Sequence, residues 1–419
     1  MRARRIVVVG AGIAGLTAAH ELARQAPGTD VLVLEGAERV GGKLRVSEIA
    51  GMAVDEGAEA ALARVPEALD LIESLGLGAD VVHPATTSAW IALDGALLPV
   101  PECTLLGVPA DLDALERSGL LSAAGLDAVR RDLAEPGPPV TEDVGVGVLL
   151  RERLGAEIVD RLVEPLLGGV YAGSADLLSL RATMPALAEA LREQGSVVAA
   201  ARAARAATPS RDGPVFATLR GGLARLPLAL AADPAIEVRT GSPVRELHRT
   251  EAHFRVIAGR TPGAVTADAV ILAVPGTKAS LLGTLAPSAT AELAAVHYAG
   301  MAIVTFAIAR QELPAGSGLL VPPTADTVVK AVTLSSQKWP HLDQGEHVVI
   351  RASVGRRGEE RVLRWSDGEL AARAYADLRR LLGLTGEPVA VRVSRWGGAL
   401  PQYDVGQVER VQRIRAALA

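Results

Sequence analysis

The residues best placed to do chemistry stand in the first thirty-five positions of the chain. The apolar run from Ile6 to Val9 leads directly into a glycine-rich stretch from Gly10 to Gly15, and a second apolar run ends on Glu35. This order predicts a strand, a tight turn, a helix and a second strand. Glycines there let a pyrophosphate approach the helix N-terminus, while the acid accepts from ribose hydroxyls. The pattern therefore predicts a site for an adenine dinucleotide without a ribose 2′-phosphate.

Two further stretches contain small and charged residues that suit an extended cofactor. Gly41 and Gly42 follow Arg39 and precede Lys43, so backbone and two cations are available to phosphates and a ring system. A second stretch of small residues and carboxylates runs through residues 55–60. Either stretch alone could be a surface turn. Together with the glycine turn (residues 10–15), they favour a cofactor that lies extended across the protein.

Composition excludes several classes of partner. The 419 residues carry a net charge of −5, which leaves no basic field for nucleic acid. The single cysteine, Cys103, excludes an internal disulfide and a cysteine metal cluster, and the seven histidines show no metal-ligand spacing. No apolar stretch is long enough to span a bilayer. We therefore expect a cytoplasmic protein without metal or nucleic acid, while peripheral contact with the inner face of the cell membrane stays open.

The predicted organisation is a discontinuous α/β protein. Residues 1–80 are predicted to begin a Rossmann-like dinucleotide-binding domain, 81–213 to form a helical insertion for substrate access or membrane contact, and 214–275 to resume the first domain. Residues 276–394 are predicted to form an α+β substrate domain, and 395–419 to return to the first domain. The clearest individual elements are a helical stretch at 144–167, a buried strand at 270–275, strands at 301–309, 347–354 and 389–396, and a helix at 367–382.

Motifs along the whole chain resemble those of one flavoenzyme family. The glycine turn and residues 33–44 resemble the FAD-binding start of the amine oxidase and protoporphyrinogen oxidase superfamily. Later stretches are similar to porphyrinogen oxidase motifs, and they lie at 164–173 with 178–181, at 219–227, at 336–341 and at 395–406. The chain most resembles the Gram-positive type of the coproporphyrinogen III oxidase and protoporphyrinogen oxidase family.

This resemblance implies a cofactor and an activity. The cofactor is FAD, and the reaction is oxidation of coproporphyrinogen III to coproporphyrin III in haem biosynthesis, with dioxygen as acceptor and hydrogen peroxide as product. Because the flavin supplies the chemistry, no protein acid or base is assigned. The residues expected to contact FAD are Gly10, Ala11, Gly12, Ile13, Ala14, Gly15, Glu35, Gly36, Arg39, Gly42, Lys43, Gly57, Ala58, Glu59, Ala60, Val244 and Trp396.

A porphyrinogen carries propionates, so its pocket needs an apolar slot with cations at the rim. The candidates for that pocket are Arg64, Tyr171, Arg181, Lys330 and Lys338. Each of the four cations could equally be an ordinary surface charge, and Tyr171 could be an ordinary core residue.

Several alternatives remain open at this point. The substrate could be protoporphyrinogen IX, the protein could be a flavin amine oxidase or carotenoid desaturase, or it could be a non-catalytic porphyrin carrier. The expected partners are a porphyrinogen and dioxygen, and a homodimer stays open. In the resembling family the chain continues into a glycine-rich strand and a last helix that cover the flavin, so the chain to Ala419 is expected to bind FAD poorly.

Overall fold

A computed structural model describes residues 4–207 and 213–419. The chain divides into two compact units. Unit 1 comprises Met1–His83, Pro214–Val296 and Val411–Ala419, and unit 2 comprises Pro84–Gly213 and His297–Arg410. The finer division into five segments stays a prediction.

The strands and helices are numbered here in chain order. The strands are β1 (Arg5–Val9), β2 (Asp30–Leu34), β3 (Val46–Ile49), β4 (Met52–Asp55), β5 (Ala61–Leu62), β6 (Val81–Val82), β7 (Trp90–Leu93), β8 (Ala96–Pro99), β9 (Thr104–Leu105), β10 (Val108–Pro109), β11 (Phe216–Leu219), β12 (Ile236–Arg239), β13 (Val244–Arg249), β14 (Phe254–Ala258), β15 (Gly263–Ala267), β16 (Ala269–Leu272), β17 (Tyr298–Ala309), β18 (Gly318–Leu320), β19 (Val329–Leu334), β20 (His347–Val354) and β21 (Ala390–Pro401). The α-helices are α1 (Ile13–Gln25), α2 (Pro66–Ser74), α3 (Leu112–Ser118), α4 (Ala123–Ala134), α5 (Val146–Leu154), α6 (Ala156–Ile158), α7 (Glu164–Tyr171), α8 (Leu180–Thr183), α9 (Pro185–Ala190), α10 (Val197–Ala207), α11 (Arg225–Ala231), α12 (Pro287–Ala294), α13 (Ser335–Lys338), α14 (Asp367–Leu382) and α15 (Gln407–Leu418).

Unit 1 is built on a four-stranded parallel sheet in the order β12-β2-β1-β16. The predicted strand, turn, helix and second strand are all present, with Val7 paired to Leu32 on one side and to Val270 on the other. Strand β1 is rich in β-branched residues that are buried on both faces, as expected for a central parallel strand. Strand β16 was predicted to be buried but is half-buried, because it lies at the edge of this sheet. The carboxyl ends of β1 and β2 therefore open at one edge of the sheet.

Smaller sheets complete unit 1. Strands β13, β14 and β15 form an antiparallel meander, and β3 pairs with β4 as a hairpin. Strand β11 pairs with β5 and β6, which brings the glycine pair at Gly221 and Gly222 back to the first part of the chain.

Unit 2 contains a seven-stranded sheet in the order β21-β17-β20-β19-β18-β7-β8. The long apolar strands β17 and β20 lie in its interior, and α14 packs against them around Phe306 and Tyr375. Helix α14 has exactly the predicted bounds because local signals fix both ends. The Ser366 hydroxyl accepts from the Glu369 N–H at the start, and Gly383 adopts a left-handed conformation at the end.

The predicted insertion, residues 81–213, is mainly helical over its described residues, with two departures. Residues 81–110 form the short strands β6 to β10, and the turn at Asp94-Gly95 between β7 and β8 is a hairpin signal that the helical prediction overlooked. The predicted helical stretch at 144–167 is divided at Gly155 and by a π-helical turn, Val159–Val163. In the described parts of the chain, every helix is too short or too polar to cross a membrane.

Candidate cofactor and substrate sites

The glycine turn of unit 1 has close backbone packing that only glycine permits. Gly10 adopts φ +104°, and a Cβ there would lie 2.6 Å from the carbonyl oxygen of Ala273. A Cβ on Gly15 would lie 2.0 Å from the carbonyl oxygen of Gly10. These two glycines therefore hold α1 close to the sheet, which is the role predicted for them.

Gly12 differs from its two neighbours because its surroundings are open. It adopts an ordinary φ of −75° just before α1, and no side chain caps the helix there. A Cβ on Gly12 would meet no atom within 4 Å. The glycine is thus not required by the fold itself, and the space beside it adjoins the first turn of α1. Such a helix N-terminus suits a pyrophosphate.

Glu35 lies at the carboxyl end of β2, and two backbone groups hold its carboxylate. Its Oε2 accepts from the Ala11 N–H at 2.7 Å, and its Oε1 accepts from the Ala37 N–H at 2.8 Å. Each carboxylate oxygen retains a further lone pair, so the oriented acid is suited to accept from two ribose hydroxyls.

The second turn, residues 39–43, lies against the first. The Gly41 N–H donates to the Ala11 carbonyl at 2.8 Å, and Gly12 and Gly41 form a parallel bridge. The Arg39 guanidinium donates to the carbonyls of Val40 and Gly42, at 3.2 Å each. Arg39 therefore stabilises the turn, while Gly42 and Lys43 are exposed beside the open space at Gly12.

Two buried carboxylates of the stretch at residues 55–60 hold parts of unit 1 together, a role that sequence reasoning did not assign to them. The Asp55 carboxylate accepts from the Leu223 N–H at 3.0 Å and so fixes the turn after β11. Glu56 forms an ion pair with Arg45 at 2.6 Å. No local pattern reveals these roles, because Leu223 lies 168 positions from Asp55 and Arg45 lies across the β3–β4 hairpin from Glu56.

The other residues predicted to contact FAD fall in both units. Gly36 packs against Pro243, which places Val244 beside the end of β2. The loop after β4 contains Gly57, Ala58, Glu59 and Ala60. Trp396 lies on β21 of unit 2, whereas all the others belong to unit 1. Their contacts with FAD stay predictions.

The cradle in unit 1 fits the adenosine and pyrophosphate part of FAD. It combines an open position at Gly12, a helix N-terminus without a side-chain cap and the oriented acid at Glu35. The residues that would hold this part of the cofactor are the glycine turn, Glu35 and the second turn.

The end of α7 in unit 2, residues 168–172, is fixed by several polar contacts. The Gln402 amide donates to the Tyr171 carbonyl at 2.8 Å, and the Arg357 N–H donates to the Ala172 carbonyl at 2.9 Å. The Tyr171 ring lies 5.9 Å from the Tyr403 ring, and burial raises the pKa of the Tyr171 hydroxyl. The predicted slot residue Tyr171 is thus half-buried and held in place.

The predicted substrate cations lie in different environments. Lys330, expected at the rim of a pocket, is only 4% exposed on β19, and its contact with substrate stays a prediction. Arg181 donates to the Glu409 carboxylate at 2.9 Å and to the Thr141 carbonyl, which makes it a structural residue of unit 2. Lys338 is half-buried with its Nζ 4.9 Å from the centre of the Trp339 ring, and Arg64 is exposed in unit 1.

Two further carboxylates tie the late motifs of unit 2 to each other. Asp143 accepts from the Ser179 hydroxyl at 2.8 Å and from the Gly406 N–H at 2.9 Å. Asp404 pairs with Arg357 and with His297. Burial acts in the opposite direction, but the hydrogen bonds from these two partners hold the pKa of Asp404 below its usual value. The resembling motifs are therefore connected through side chains that sequence reasoning did not select.

Comparison with known proteins agrees with these features. Residues 13–415 match the family described as flavin containing amine oxidoreductase. Coproporphyrinogen III oxidase of Mycobacterium tuberculosis is 39% identical over 425 residues, covering 100% of this chain and 91% of that protein. Coproporphyrinogen III oxidase of Bacillus subtilis is 28% identical over 432 residues, covering 99% of this chain and 91% of that protein.

A solved structure supports the same assignment. One similar crystal structure is of a protein from Exiguobacterium sp. 255-15 that carries the name protoporphyrinogen oxidase. Its TM-score to this chain is 0.88 at 33% sequence identity, and the match covers 100% of this chain and 92% of that one. The predicted α/β fold with a Rossmann-like cofactor domain is confirmed, and so is FAD as the cofactor. The chain belongs to the flavin containing amine oxidoreductase family and, within it, to the group of the coproporphyrinogen III oxidases.

Proposed function

We propose that this protein oxidises coproporphyrinogen III to coproporphyrin III with dioxygen as the acceptor, releasing hydrogen peroxide. The observation that carries the proposal is the 39% identity to the Mycobacterium tuberculosis coproporphyrinogen III oxidase along the entire chain. The cradle at Gly12 and Glu35 supports it, because a porphyrinogen oxidase of this family needs a bound flavin. Cytoplasmic location, peripheral membrane contact and a homodimer stay predictions.

The protein's own residues contribute binding and orientation to this reaction. FAD, when bound, supplies the acceptor for pairs of electrons removed from the substrate. Glu35 and the glycine turn would fix the nucleotide end of the cofactor, and so its reactive end would have a defined position. Glu35 and Arg39 hold the cradle through hydrogen bonds, and this binding role requires no proton transfer from either side chain.

An anaerobic titration tests the proposal directly. Purified protein supplied with FAD is mixed without oxygen with coproporphyrinogen III, protoporphyrinogen IX or putrescine in turn. We expect coproporphyrinogen III to bleach the visible flavin band fastest, and putrescine to leave it unchanged. Admission of air should then yield porphyrin fluorescence and three molecules of hydrogen peroxide per porphyrin, because six electrons leave in pairs.

Each alternative has its own outcome in this titration. Bleaching by putrescine but by neither porphyrinogen would identify an amine oxidase. Faster bleaching by protoporphyrinogen IX would reassign the substrate. Porphyrin binding to protein that takes up no flavin would favour a carrier.

The charge of Lys338 is expected to act on substrate affinity. Its Nζ lies 4.9 Å from the centre of the Trp339 ring, which is within the range of a cation–π contact. Replacing Lys338→Glu should raise KM for coproporphyrinogen III by at least about tenfold, since one charge-assisted contact is worth about 1.5–3 kcal/mol. Flavin content should not change.

The matched control for this variant is Lys278→Glu, which reverses an exposed lysine of unit 1. Steady-state kinetics on both variants separate a local effect from the change in net charge. An unchanged KM in the Lys338 variant, or an equal rise in both, would remove Lys338 from the substrate pocket.

A further inference from the structure

Lys330 carries a buried ammonium group whose charge is stabilised by few hydrogen bonds. Its side chain extends from β19 toward the end of α7 and is 4% exposed. Among the residues that the structure describes, its Nζ has one hydrogen-bond acceptor, the Gly168 carbonyl at 3.4 Å. That carbonyl also accepts from the Ala172 N–H. An ammonium has three donors, so burial here is costly unless an anion is nearby.

A buried charged neighbour of Lys330 has the same sign. Arg356 is 8% exposed, donates to the Val321 carbonyl at 2.7 Å, and lowers the pKa of Lys330. Its carboxylate partner Glu359, at 3.6 Å, is half exposed to solvent and therefore screens the cluster weakly. The two cations together favour the approach of an anion.

The other charged groups near β19 do not supply that anion. They are Glu164 on α7, Lys338 on α13, Arg351 on β20 and Asp377 on α14. Burial raises the pKa of Glu164, whose carboxylate accepts from the Ala175 N–H. Asp377 accepts from the N–H groups of Val328 and Val329 and pairs with Arg380. Both carboxylates are thus committed to other partners.

Protonation of Lys330 is consequently poised near neutral pH. Burial first, and then the charge of Arg356, lower the pKa of Lys330 to about 7, while Glu359 acts in the opposite direction. An anion that binds nearby would stabilise the ammonium and raise this pKa. Anion binding above neutral pH would therefore draw a proton onto the protein.

The end of α7, where the Gly168 carbonyl accepts from Lys330, presents apolar residues to solvent. Gly169 and Val170 at the α7 end are exposed, Val170 by 51%, and Tyr171 beside them is half-buried. A Cβ on Gly169 would lie 3.5 Å from Leu320, so the helix end and β18 form one continuous face. An apolar face over underpaired cations is complementary to a tetrapyrrole that carries carboxylates.

We propose that Lys330 selects carboxylate-rich tetrapyrroles at the end of α7 by gaining a proton when such an anion binds. This inference rests on the proposed function for the class of ligand. Coproporphyrin carries four propionates and protoporphyrin carries two. The positive charge of Lys330 therefore favours binding of coproporphyrin over protoporphyrin. Lys330 is a specificity-determining residue and takes no part in the redox chemistry.

Calorimetry of product binding tests the proposal without turnover. Coproporphyrin III is titrated into the full-length, FAD-supplied protein in phosphate and in Tris, whose ionisation enthalpies differ. The porphyrin carboxylates stay ionised throughout, so a buffer-dependent heat reports protons taken up by the protein. With a pKa near 7, the wild type should take up a fraction of a proton at pH 7 and a larger fraction at pH 8. Its affinity should then fall as the pH rises above 7.

Three variants separate the proposal from a structural role. Lys330→Met should lose this uptake and bind coproporphyrin about tenfold more weakly, with a smaller loss for protoporphyrin. Lys330→Arg should keep the affinity but lose the uptake, because arginine stays charged. Lys278→Met, which removes an exposed lysine of unit 1, should behave as wild type. If the methionine variant does not fold, the arginine variant still gives the decisive comparison.

The outcomes that overturn this inference differ from those that overturn the proposed function. Equal proton uptake by wild type and both Lys330 variants, or no porphyrin binding by the wild type, would overturn the inference. Lack of coproporphyrinogen oxidation, together with uptake that depends on Lys330, would instead overturn the proposed function and leave the anion-binding role of Lys330 supported.

Discussion

Gly12→Ala is expected to give a folded protein that no longer retains FAD. The new methyl group would meet no protein atom within 4 Å, and the φ of −75° is one that alanine readily adopts. The same methyl would occupy the space at the N-terminus of α1 where we expect the pyrophosphate. Affinity for FAD should fall by at least about tenfold, which corresponds to about 1.4 kcal/mol.

Flavin absorbance after gel filtration and the thermal midpoint of flavin-free protein together measure this effect. Gly368→Ala is a matched control, because that glycine also has no atom within 4 Å of its Cβ position but belongs to α14 of unit 2. Gly15→Ala should fail differently, by destabilising unit 1, because its methyl would clash with the Gly10 carbonyl. Normal flavin content in the Gly12 variant would mean that the cofactor does not approach this position.

Asp132→Ala is expected to cause the largest loss of stability in the helical part of unit 2. The Asp132 carboxylate is 4% exposed on α4, and it accepts from the Ser196 hydroxyl at 2.6 Å. It also accepts from the N–H groups of Val197 and Val198, which begin α10. Removing it leaves three buried donors without an acceptor, at a cost of about 3–5 kcal/mol in the free energy of unfolding.

Thermal unfolding followed by circular dichroism measures this loss, and a second aspartate on the same helix provides its control. The midpoint of the Asp132 variant should fall by roughly 6–15 °C. Asp127 is 68% exposed and pairs with Arg130 on the surface, so Asp127→Ala should change stability by no more than about 0.5 kcal/mol. Similar small shifts in both variants would show that the buried network contributes little.

Features that depend on neighbouring residues could be predicted from the sequence. The strand, turn and helix around the glycine turn follow from an apolar run and three spaced glycines. Helix α14 could be predicted residue by residue because Ser366 and Gly383 mark its ends. In each case the chemical reason for the structure lies within a few positions of the residue concerned.

Features that depend on distant residues could not be predicted in this way. Strand β7 pairs with β18, more than two hundred positions later, and nothing in its four residues specifies that partner. Lys330 has the same sequence character as a surface lysine, and its burial follows from the packing of α7 against β19. Asp132 is likewise an unremarkable helical aspartate until α10 begins beside it. Cationic residues that could bind substrate can be selected from the sequence, but their burial and hydrogen-bond partners depend on the folded chain.

The parallel sheet of unit 1 can be completed only after a late segment of the chain has been synthesised. The Arg5 N–H donates to the side chain of Asp268, 263 residues further along the chain. At about 5–20 residues per second, a ribosome takes roughly 13–50 s to supply that partner after β1 has emerged. During this interval one edge of an apolar strand is without its neighbour, which exposes it to aggregation and to chaperones. Since Ala273 packs directly against Gly10, the nucleotide cradle is completed only when this late segment arrives, so a nascent chain gains no stability from FAD until most of it has been synthesised.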